Sequence, residues 1–180
     1  MGMRILFIII SLTAVLPLEA QRLVALRTEF NDSFTEWILE TADENDFDGE
    51  LRVTFNTFDD WSFTFGEVRG DIRQKFRGND ATWEVYADGE TITINRVWPR
   101  DNREWKLSSG KLRQTIRTRY GNTADEWRLA NEEDGFFDIF TEWEGDPRDW
   151  IVEENLSEAY SPAFKIALAF IAVYNSMPKQ

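Results

Sequence analysis

The sequence contains no cysteine and no histidine among its 180 residues. Without cysteine, the chain can form no disulfide, no thiolate metal site and no cysteine nucleophile. Without histidine, it has no Ser-His-Asp triad, no histidine-ligated zinc and no histidine acid–base catalyst. The two absences remove most of the side-chain chemistry that hydrolases and metal centres use. They favour a non-catalytic protein that needs no cofactor.

Long hydrophobic runs are also missing, since the run at Ile5–Leu16 is shorter than the roughly 20 residues of a transmembrane helix. That run follows Arg4 and ends at Pro17, and Leu18-Glu19-Ala20 comes after it. This order is typical of a secretory signal peptide that is cleaved after Ala20. The alternative is a buried N-terminal strand or helix. We therefore expect residues 1–20 to be a leader and residues 21–180 to form a single domain that is secreted or periplasmic.

Positive charge is scarce, because 33 acidic residues face 20 basic ones and the net charge is −13. Nucleic acids and anionic membranes repel a protein of this charge. We expect no nucleic-acid partner, no stable membrane binding and a monomer in solution.

What the chain does have is a long series of short strand patterns with turn residues between them. Trp61 to Phe65 alternates apolar and polar residues, and Asp88-Gly89 is a strong hairpin signal between two such segments. About twelve strands are predicted, and their short connections make neighbours antiparallel. A cysteine-free domain needs a large core, and 8 Trp, 14 Phe and 4 Tyr can supply it.

A single helix is predicted near the end of the chain, over residues 162–176. Ser161 is a suitable N-cap, Pro162 suits the first helical position and Pro178 prevents continuation. Apolar residues surround this helix on every side, and Lys165 is its only charge. Such a helix must be enclosed by protein. The prediction is a mainly β fold, a closed antiparallel barrel of about twelve strands with the helix through its centre.

The second half of the chain resembles a known group of proteins. The segments that carry the resemblance are Trp105-Lys-Leu-Ser-Ser-Gly, Asp125-Glu-Trp127, Asp146-Pro-Arg-Asp-Trp150-Ile and Lys165-Ile-Ala-Leu-Ala-Phe. They look like the tubby C-terminal-like superfamily, which includes tubby, the phospholipid scramblases and the LURP-one-related proteins. The resemblance implies a twelve-stranded closed barrel around a hydrophobic C-terminal helix. The sequence matches neither the cysteine-rich segment of the scramblases nor the basic phosphoinositide site of tubby, so the resemblance implies the fold and not those activities.

One loop resembles a metal site. Glu44, Asp46 and Asp48 alternate ahead of Gly49, as the first ligands of an EF-hand loop do. The closing bidentate glutamate is replaced by Phe55, and the residues that follow read as a strand. Calcium is therefore a minor possibility beside the simpler interpretation of an acidic hairpin loop.

A tryptophan side chain can pack in the hydrophobic core or stack on a sugar ring. Trp61, Trp105 and Trp127 lie in phase with other apolar residues and are predicted to pack in the barrel interior. Trp98, beside Pro99-Arg100, and Trp143, near Gly145, adjoin turns and are the better candidates for exposure. Trp98, Arg100 and Trp143 are accordingly ligand candidates at the barrel rim.

Lys165 is the fourth ligand candidate, since it is a cation in the first turn of an otherwise apolar helix. We expect it at the mouth of the barrel, with its ammonium group reaching water or an acid such as Glu158. A buried site for a charged ligand is the alternative.

A basic stripe is formed by Lys111, Arg113, Arg117 and Arg119. In an acidic protein, we expect these side chains to pair with carboxylates on neighbouring strands.

These features together predict a non-catalytic binding or interaction module of unknown ligand, with a protein or glycan at the barrel rim as the candidate partner. A barrel filled by a helix has no room for an internal ligand. The alternatives are a lipocalin-like carrier of a small apolar ligand, with the helix packed outside, and a carbohydrate-binding β-domain. An enzyme that uses carboxylates alone is the least favoured class.

Overall fold

The computed structural model describes residues 22–42, 49–55, 57–121, 123–131 and 134–178. These residues form twelve strands and one helix. In chain order the strands are β1 (Leu23–Thr28), β2 (Glu36–Thr41), β3 (Gly49–Val53), β4 (Asp60–Phe65), β5 (Val68–Gln74), β6 (Thr82–Ala87), β7 (Glu90–Trp98), β8 (Asp101–Ser109), β9 (Leu112–Thr118), β10 (Glu126–Asn131), β11 (Gly135–Thr141) and β12 (Asp149–Leu156). The helix is α1 (Pro162–Ser176).

The twelve strands form one closed barrel in which every strand pairs with its neighbours in sequence, and β12 pairs with β1. All of these pairings are antiparallel, as the short connections predicted. All even-numbered strands therefore run in the same direction. Closure satisfies the backbone groups that an open sheet would leave unpaired at its edges. The predicted fold class is confirmed.

The barrel is built from six similar hairpins. Each even-numbered strand carries one buried tryptophan close to its start, and these tryptophans recur every 22 to 24 residues: Trp37, Trp61, Trp83, Trp105, Trp127 and Trp150. The residue two positions after each tryptophan is also buried, because alternate residues of a strand share a face. The prediction that Trp61, Trp105 and Trp127 pack in the core is confirmed.

The same hydrogen bond fixes all six tryptophans. In each case the indole Nε1–H donates to the carbonyl oxygen of the residue three positions earlier, at 2.7–3.0 Å. The bond satisfies the single polar atom of a buried indole. The acceptor carbonyl precedes the even-numbered strand in every hairpin except the fourth, where Asn102 lies within β8. The six hairpins thus share a local structure as well as a spacing.

The helix α1 lies inside the barrel. Residues Ala163–Val173 are buried on every face of the helix. Phe170 contacts Trp83 of β6, with ring centroids 5.0 Å apart, while Lys165 contacts β12. In the closed order of twelve strands, β6 and β12 are on opposite walls. A helix that touches both walls occupies the interior.

Both ends of the helix are tied to the barrel. The Ser161 hydroxyl accepts a hydrogen bond from Phe164 N at 3.1 Å, which confirms the predicted N-cap, and it also donates to Glu90 of β7. At the other end, the Ser176 hydroxyl lies 2.9 Å from the carbonyl oxygen of Ala124, just before β10. The helix therefore runs from the end where odd-numbered strands begin to the end where even-numbered strands begin.

Tyr174 closes the core at the second end of the helix. Its ring lies 4.7 Å from the Trp83 ring and 5.5 Å from the Phe170 ring, measured between centroids. Burial raises the pKa of the Tyr174 phenol to about 12, and the charge of Asp80 adds to the shift. The phenol is therefore neutral at physiological pH, as a group that covers an apolar core must be.

Gly135, at the start of β11, permits a close approach of two strands. It has φ +100°, and an added Cβ would lie 1.8 Å from the carbonyl oxygen of Asn155. We expect Gly135→Ala to lower the free energy of unfolding by about 3 kcal/mol or more, because the strand must move as well as adopt a strained conformation. Gly145 is a matched control, since it has φ +78° and nothing within 4 Å of an added Cβ. For Gly145→Ala we expect only the left-handed backbone cost of about 1–2 kcal/mol. Urea unfolding of both variants measures the difference, and equal losses would contradict the close-approach argument.

Candidate functional site

A ring of exposed aromatic side chains surrounds one end of the barrel. Each of the six hairpins contributes one exposed aromatic residue at or just before the connection that leads into its even-numbered strand, and the exposed fractions of these side chains range from 51% to 84%. We call this set the aromatic rim: Phe30, Phe55, Phe76, Trp98, Tyr120 and Trp143. Since all even-numbered strands begin at the same end, the six rings lie on one end of the molecule.

The aromatic rim follows the sixfold repeat of the barrel. Each rim residue precedes the buried tryptophan of its hairpin by seven residues, or by six in the case of Phe55. Strands are about 4.8 Å apart, so equivalent positions in successive hairpins lie roughly 10 Å apart around the barrel. None of the six rings contacts another. The rim is a series of separate aromatic platforms and not one continuous apolar patch.

The sequence identified two members of the rim. Trp98 is 57% exposed and Trp143 is 66% exposed, as their places beside turns predicted. Phe30, Phe55, Phe76 and Tyr120 were not singled out. The signal that could have found them is the regular spacing of 21 to 25 residues between successive rim aromatics, which parallels the spacing of the buried tryptophans.

Fixed polar groups surround Trp98. Its indole Nε1 donates to Glu104 Oε2 at 2.7 Å, which sets the orientation of the ring. The carboxylate of Asp101 accepts two hydrogen bonds from the Arg103 guanidinium, at 2.8 Å and 2.6 Å. These bonds, together with one from the Arg103 backbone N–H, lower the pKa of Asp101 to about 2. Arg103 also donates to the carbonyl oxygen of Gly121 at 2.7 Å, so it links the fourth hairpin to the fifth.

The predicted rim candidate Arg100 lies in the turn between β7 and β8. It is exposed and adopts a left-handed conformation with φ 63°. Its position two residues after Trp98 agrees with the expectation that both side chains face solvent at the rim.

A similar polar pair follows Trp143. Asp146 accepts hydrogen bonds from Arg148 Nε at 2.8 Å and from Arg148 Nη2 at 2.5 Å. The Arg148 side chain, with smaller effects from its backbone N–H, lowers the pKa of Asp146 below its ordinary value. The half of the rim that contains Trp98, Tyr120 and Trp143 therefore combines exposed rings with ionised groups in fixed positions.

An open cleft of about 660 Å³ lies between the fifth and sixth hairpins. Its lining residues are Arg119, Tyr120, Thr123, Asp125, Glu126, Phe140, Thr141, Glu144 and Glu153, which include two aromatic residues, one arginine and four acidic residues. This volume falls within the range of about 300–1,000 Å³ that is usual for sites of small ligands. The cleft joins the aromatic rim through Tyr120.

The electrostatics of the cleft are predominantly acidic. Arg119 forms an ion pair with Glu126, which neutralises one of its carboxylates. Asp125, Glu144 and Glu153 form no ion pair with any residue in the described ranges. A cleft of this charge repels anionic ligands.

The neighbouring wall adds a further acid to this region. Asp138 is paired with Glu153 across the β11–β12 ladder, and burial raises the pKa of Asp138. Arg128 and Arg119 oppose this shift, whereas the charges of Glu126 and Glu153 add to it.

The basic stripe pairs with carboxylates only in part. Arg119 pairs with Glu126 across the β9–β10 turn. Arg113 instead donates to two backbone carbonyl oxygens, those of Gly110 and Leu112, both at 2.9 Å. Lys111 and Arg117 are exposed and form no ion pair with a described carboxylate. The expectation of general pairing with neighbouring strands is therefore wrong for most of the stripe.

Lys165 is buried and not at the barrel mouth, and the acid that its ammonium group reaches is Glu154, whereas Glu158 was the predicted example. The side chain is 4% exposed, and its Nζ lies 2.9 Å from Glu154 Oε1 and 2.8 Å from Glu154 Oε2. Glu154 lies on β12 and is itself buried, whereas Glu158 is exposed. The Glu154 carboxylate also accepts a hydrogen bond from Leu23 N at 3.2 Å. The charge is compensated inside the protein, because an unpaired ammonium group in this core would be very costly.

The calcium candidates Glu44, Asp46 and Asp48 lie outside the described residues. Within the residues that the structure does describe, no group of three or more carboxylates is arranged to hold a metal ion. No helix in the same part of the chain has the length and hydropathy to cross a membrane.

Comparison with known proteins identifies no relative of this chain. No protein-family model matches it, and neither a curated protein nor a solved structure matches it.

Proposed function

We propose that this protein is an exported, non-catalytic binding module that binds its ligand at the aromatic rim. The observation that carries the proposal is that all six hairpins present an exposed aromatic side chain at the same end of the barrel. Aromatic residues are enriched in surfaces that bind a partner. Six exposed aromatic rings at one end of the barrel therefore favour that end as the binding surface.

Because the barrel interior is filled, the rim is favoured over the lumen as the binding surface. Helix α1 and the inward-facing side chains of the strands form a single buried cluster. A lipocalin-like carrier needs an open lumen for its ligand, and in this barrel the helix occupies that space.

Export and the absence of catalysis are parts of the same proposal. The order of charged, apolar and small residues in residues 1–20 supports export. The lack of histidine and cysteine removes the commonest acid–base catalyst and the thiolate nucleophile, which supports a role in binding. The relationship to the tubby C-terminal-like superfamily is likewise a proposal, and the barrel with its internal helix is the feature that supports it.

The binding surface is tested by the triple variant Trp98→Ala, Tyr120→Ala and Trp143→Ala. Binding is measured with uncharged polysaccharides by affinity electrophoresis and with phosphatidylcholine vesicles by co-sedimentation. We expect the native protein to bind one of these probes and the triple variant to lose that binding. The melting temperature should change by only a few degrees, because exposed side chains add little to stability.

Three results would contradict the proposal. The first is full binding by the triple variant, and the second is no binding by the native protein. The third is bright fluorescence of Nile red with the native monomer that the triple variant retains, since this would place an apolar site in the lumen.

A further inference from the structure

We infer that the ligand of the aromatic rim is a glycan without carboxylate or sulfate groups, and that the cleft beside Tyr120 is its principal subsite. This inference rests on the proposed function, because it requires the rim to be the binding surface. It adds the class of ligand and the place on the rim where the ligand is held.

The separation of the rim aromatics argues for a sugar over an apolar partner. A pyranose ring has a face of C–H bonds and a periphery of hydroxyl groups, so it suits a single aromatic platform that has hydrogen-bonding groups around it. A membrane or a hydrophobic protein interface suits a continuous apolar surface instead. The six rings do not touch one another, and successive hairpins place them roughly 10 Å apart.

Polar groups fixed by hydrogen bonds accompany the rim aromatics. Asn79, near Phe76, accepts from Ala81 N at 3.0 Å. Asp101, near Trp98, and Asp146, near Trp143, each accept two hydrogen bonds from the side chain of an arginine two residues later, at 2.5–2.8 Å. Carboxylates and guanidinium groups fixed in this way can bond sugar hydroxyls with little loss of side-chain entropy.

The cleft supplies the concave part of the site. Tyr120 and Phe140 line it with aromatic surface and Thr123 adds a polar side chain, while Thr141 beside them is buried. The Arg119 guanidinium lies over the Tyr120 ring, 5.7 Å from its centroid, and it is also paired with Glu126. Tyr120 is thus held beside the cleft, so a sugar ring stacked on it can reach the polar lining.

The charge of the cleft selects among glycans. Its four carboxylates outnumber its single arginine, and the whole chain carries a net charge of −13. Uronic acids and sulfated sugars are therefore repelled, whereas carboxylates are good acceptors for the hydroxyl groups of uncharged sugars. Several equivalent platforms around one end also favour a chain of sugars, because a second contact adds affinity through effective concentration.

The test uses the native protein and the Tyr120→Ala variant, with Phe55→Ala as a matched control. Phe55 is also an exposed rim aromatic, but its hairpin is on the opposite side of the ring and Phe55 does not line the cleft beside Tyr120. The probes are oligosaccharides of glucose, xylose, mannose and N-acetylglucosamine with two to six sugars, and oligogalacturonate as the anionic probe. Calorimetry measures each dissociation constant.

We expect one of the uncharged series to bind, with affinity rising with chain length. Tyr120→Ala should weaken this binding about tenfold or more, as expected for the loss of one aromatic stacking contact, while Phe55→Ala should change it less than about twofold. Oligogalacturonate should not bind.

Each contrary result has a distinct meaning. If the triple rim variant loses binding but Tyr120→Ala does not, the rim is the binding surface and the cleft is not its subsite. If phosphatidylcholine vesicles or oligogalacturonate bind and the uncharged oligosaccharides do not, the glycan class is wrong while the rim function stands. If the triple variant binds as well as the native protein, both the inference and the proposed function fail.

Discussion

Phe170→Asp should leave no cooperatively folded protein. Phe170 lies at the centre of the barrel, where its ring packs against Trp61 at 5.6 Å, Trp83 at 5.0 Å and Tyr174 at 5.5 Å between centroids. Truncation of a buried phenylalanine costs about 3–5 kcal/mol, and a buried unpaired carboxylate costs several kcal/mol more. The sum is comparable to the whole net stability of a domain, which is about 5–15 kcal/mol. Deletion of residues 161–180 should have the same result, since it removes the entire centre of the core.

Circular dichroism during thermal unfolding measures this effect. Phe76→Asp is the matched control, because Phe76 is 58% exposed on the rim and the same substitution there should leave a cooperative transition. A cooperative transition near the parent temperature in Phe170→Asp, or in the deletion, would show that the barrel does not depend on its internal helix.

Lys165→Met should be the second most damaging change. Lys165 and Glu154 are both buried, and each compensates the other across the gap between α1 and β12. Removal of one partner of such a pair leaves an unpaired buried charge, which costs about 3–5 kcal/mol. Methionine has a similar shape, so the loss comes from the charge on Glu154 and only slightly from packing.

The double variant Lys165→Met with Glu154→Gln separates charge from packing. Glutamine keeps an oxygen that can accept the hydrogen bond from Leu23 N, which lies 3.2 Å from Glu154 Oε1. The double variant contains no buried charge, so we expect it to retain a deficit of only about 1–3 kcal/mol, the cost of an imperfectly satisfied buried amide. Urea unfolding gives the free energies of the three proteins. A double variant that is no more stable than Lys165→Met would show that the ion pair is not the reason for the loss.

The sequence determined most of the local structure. Alternation of apolar and polar residues predicted twelve strands, because successive side chains of a strand point to opposite faces and one face must be buried. Ser161 and Pro162 marked the start of α1, and the structure confirms the helix at Pro162–Ser176. The apolar circumference of that helix predicted its enclosure, since a helix without a polar face cannot remain at a protein surface.

The candidate site was only partly visible in the sequence. Trp98 and Trp143 were identified from the turns beside them, but the three phenylalanines and Tyr120 of the rim were not. A single aromatic residue near a turn is equally compatible with burial, as Phe34 and Phe58 show, because both are packed against the core. What distinguishes the rim residues is the same position in every hairpin, and that equivalence becomes evident when all hairpins are aligned on their buried tryptophans.

Only the tertiary structure decided which distant residues meet. The partner of Lys165 proved to be Glu154 of β12, because barrel closure places that strand beside the first turn of the helix. The pairing of β10 with β11 likewise brings Tyr120 and Glu144 to the two sides of one cleft. The alternating pattern of a strand specifies which of its two faces is buried. It contains no information on which strands face each other across the barrel interior. In this protein the sequence by itself therefore determined the elements and the occupant of the barrel. The contacts across the barrel and the site on its rim depend on how twelve strands close around one helix.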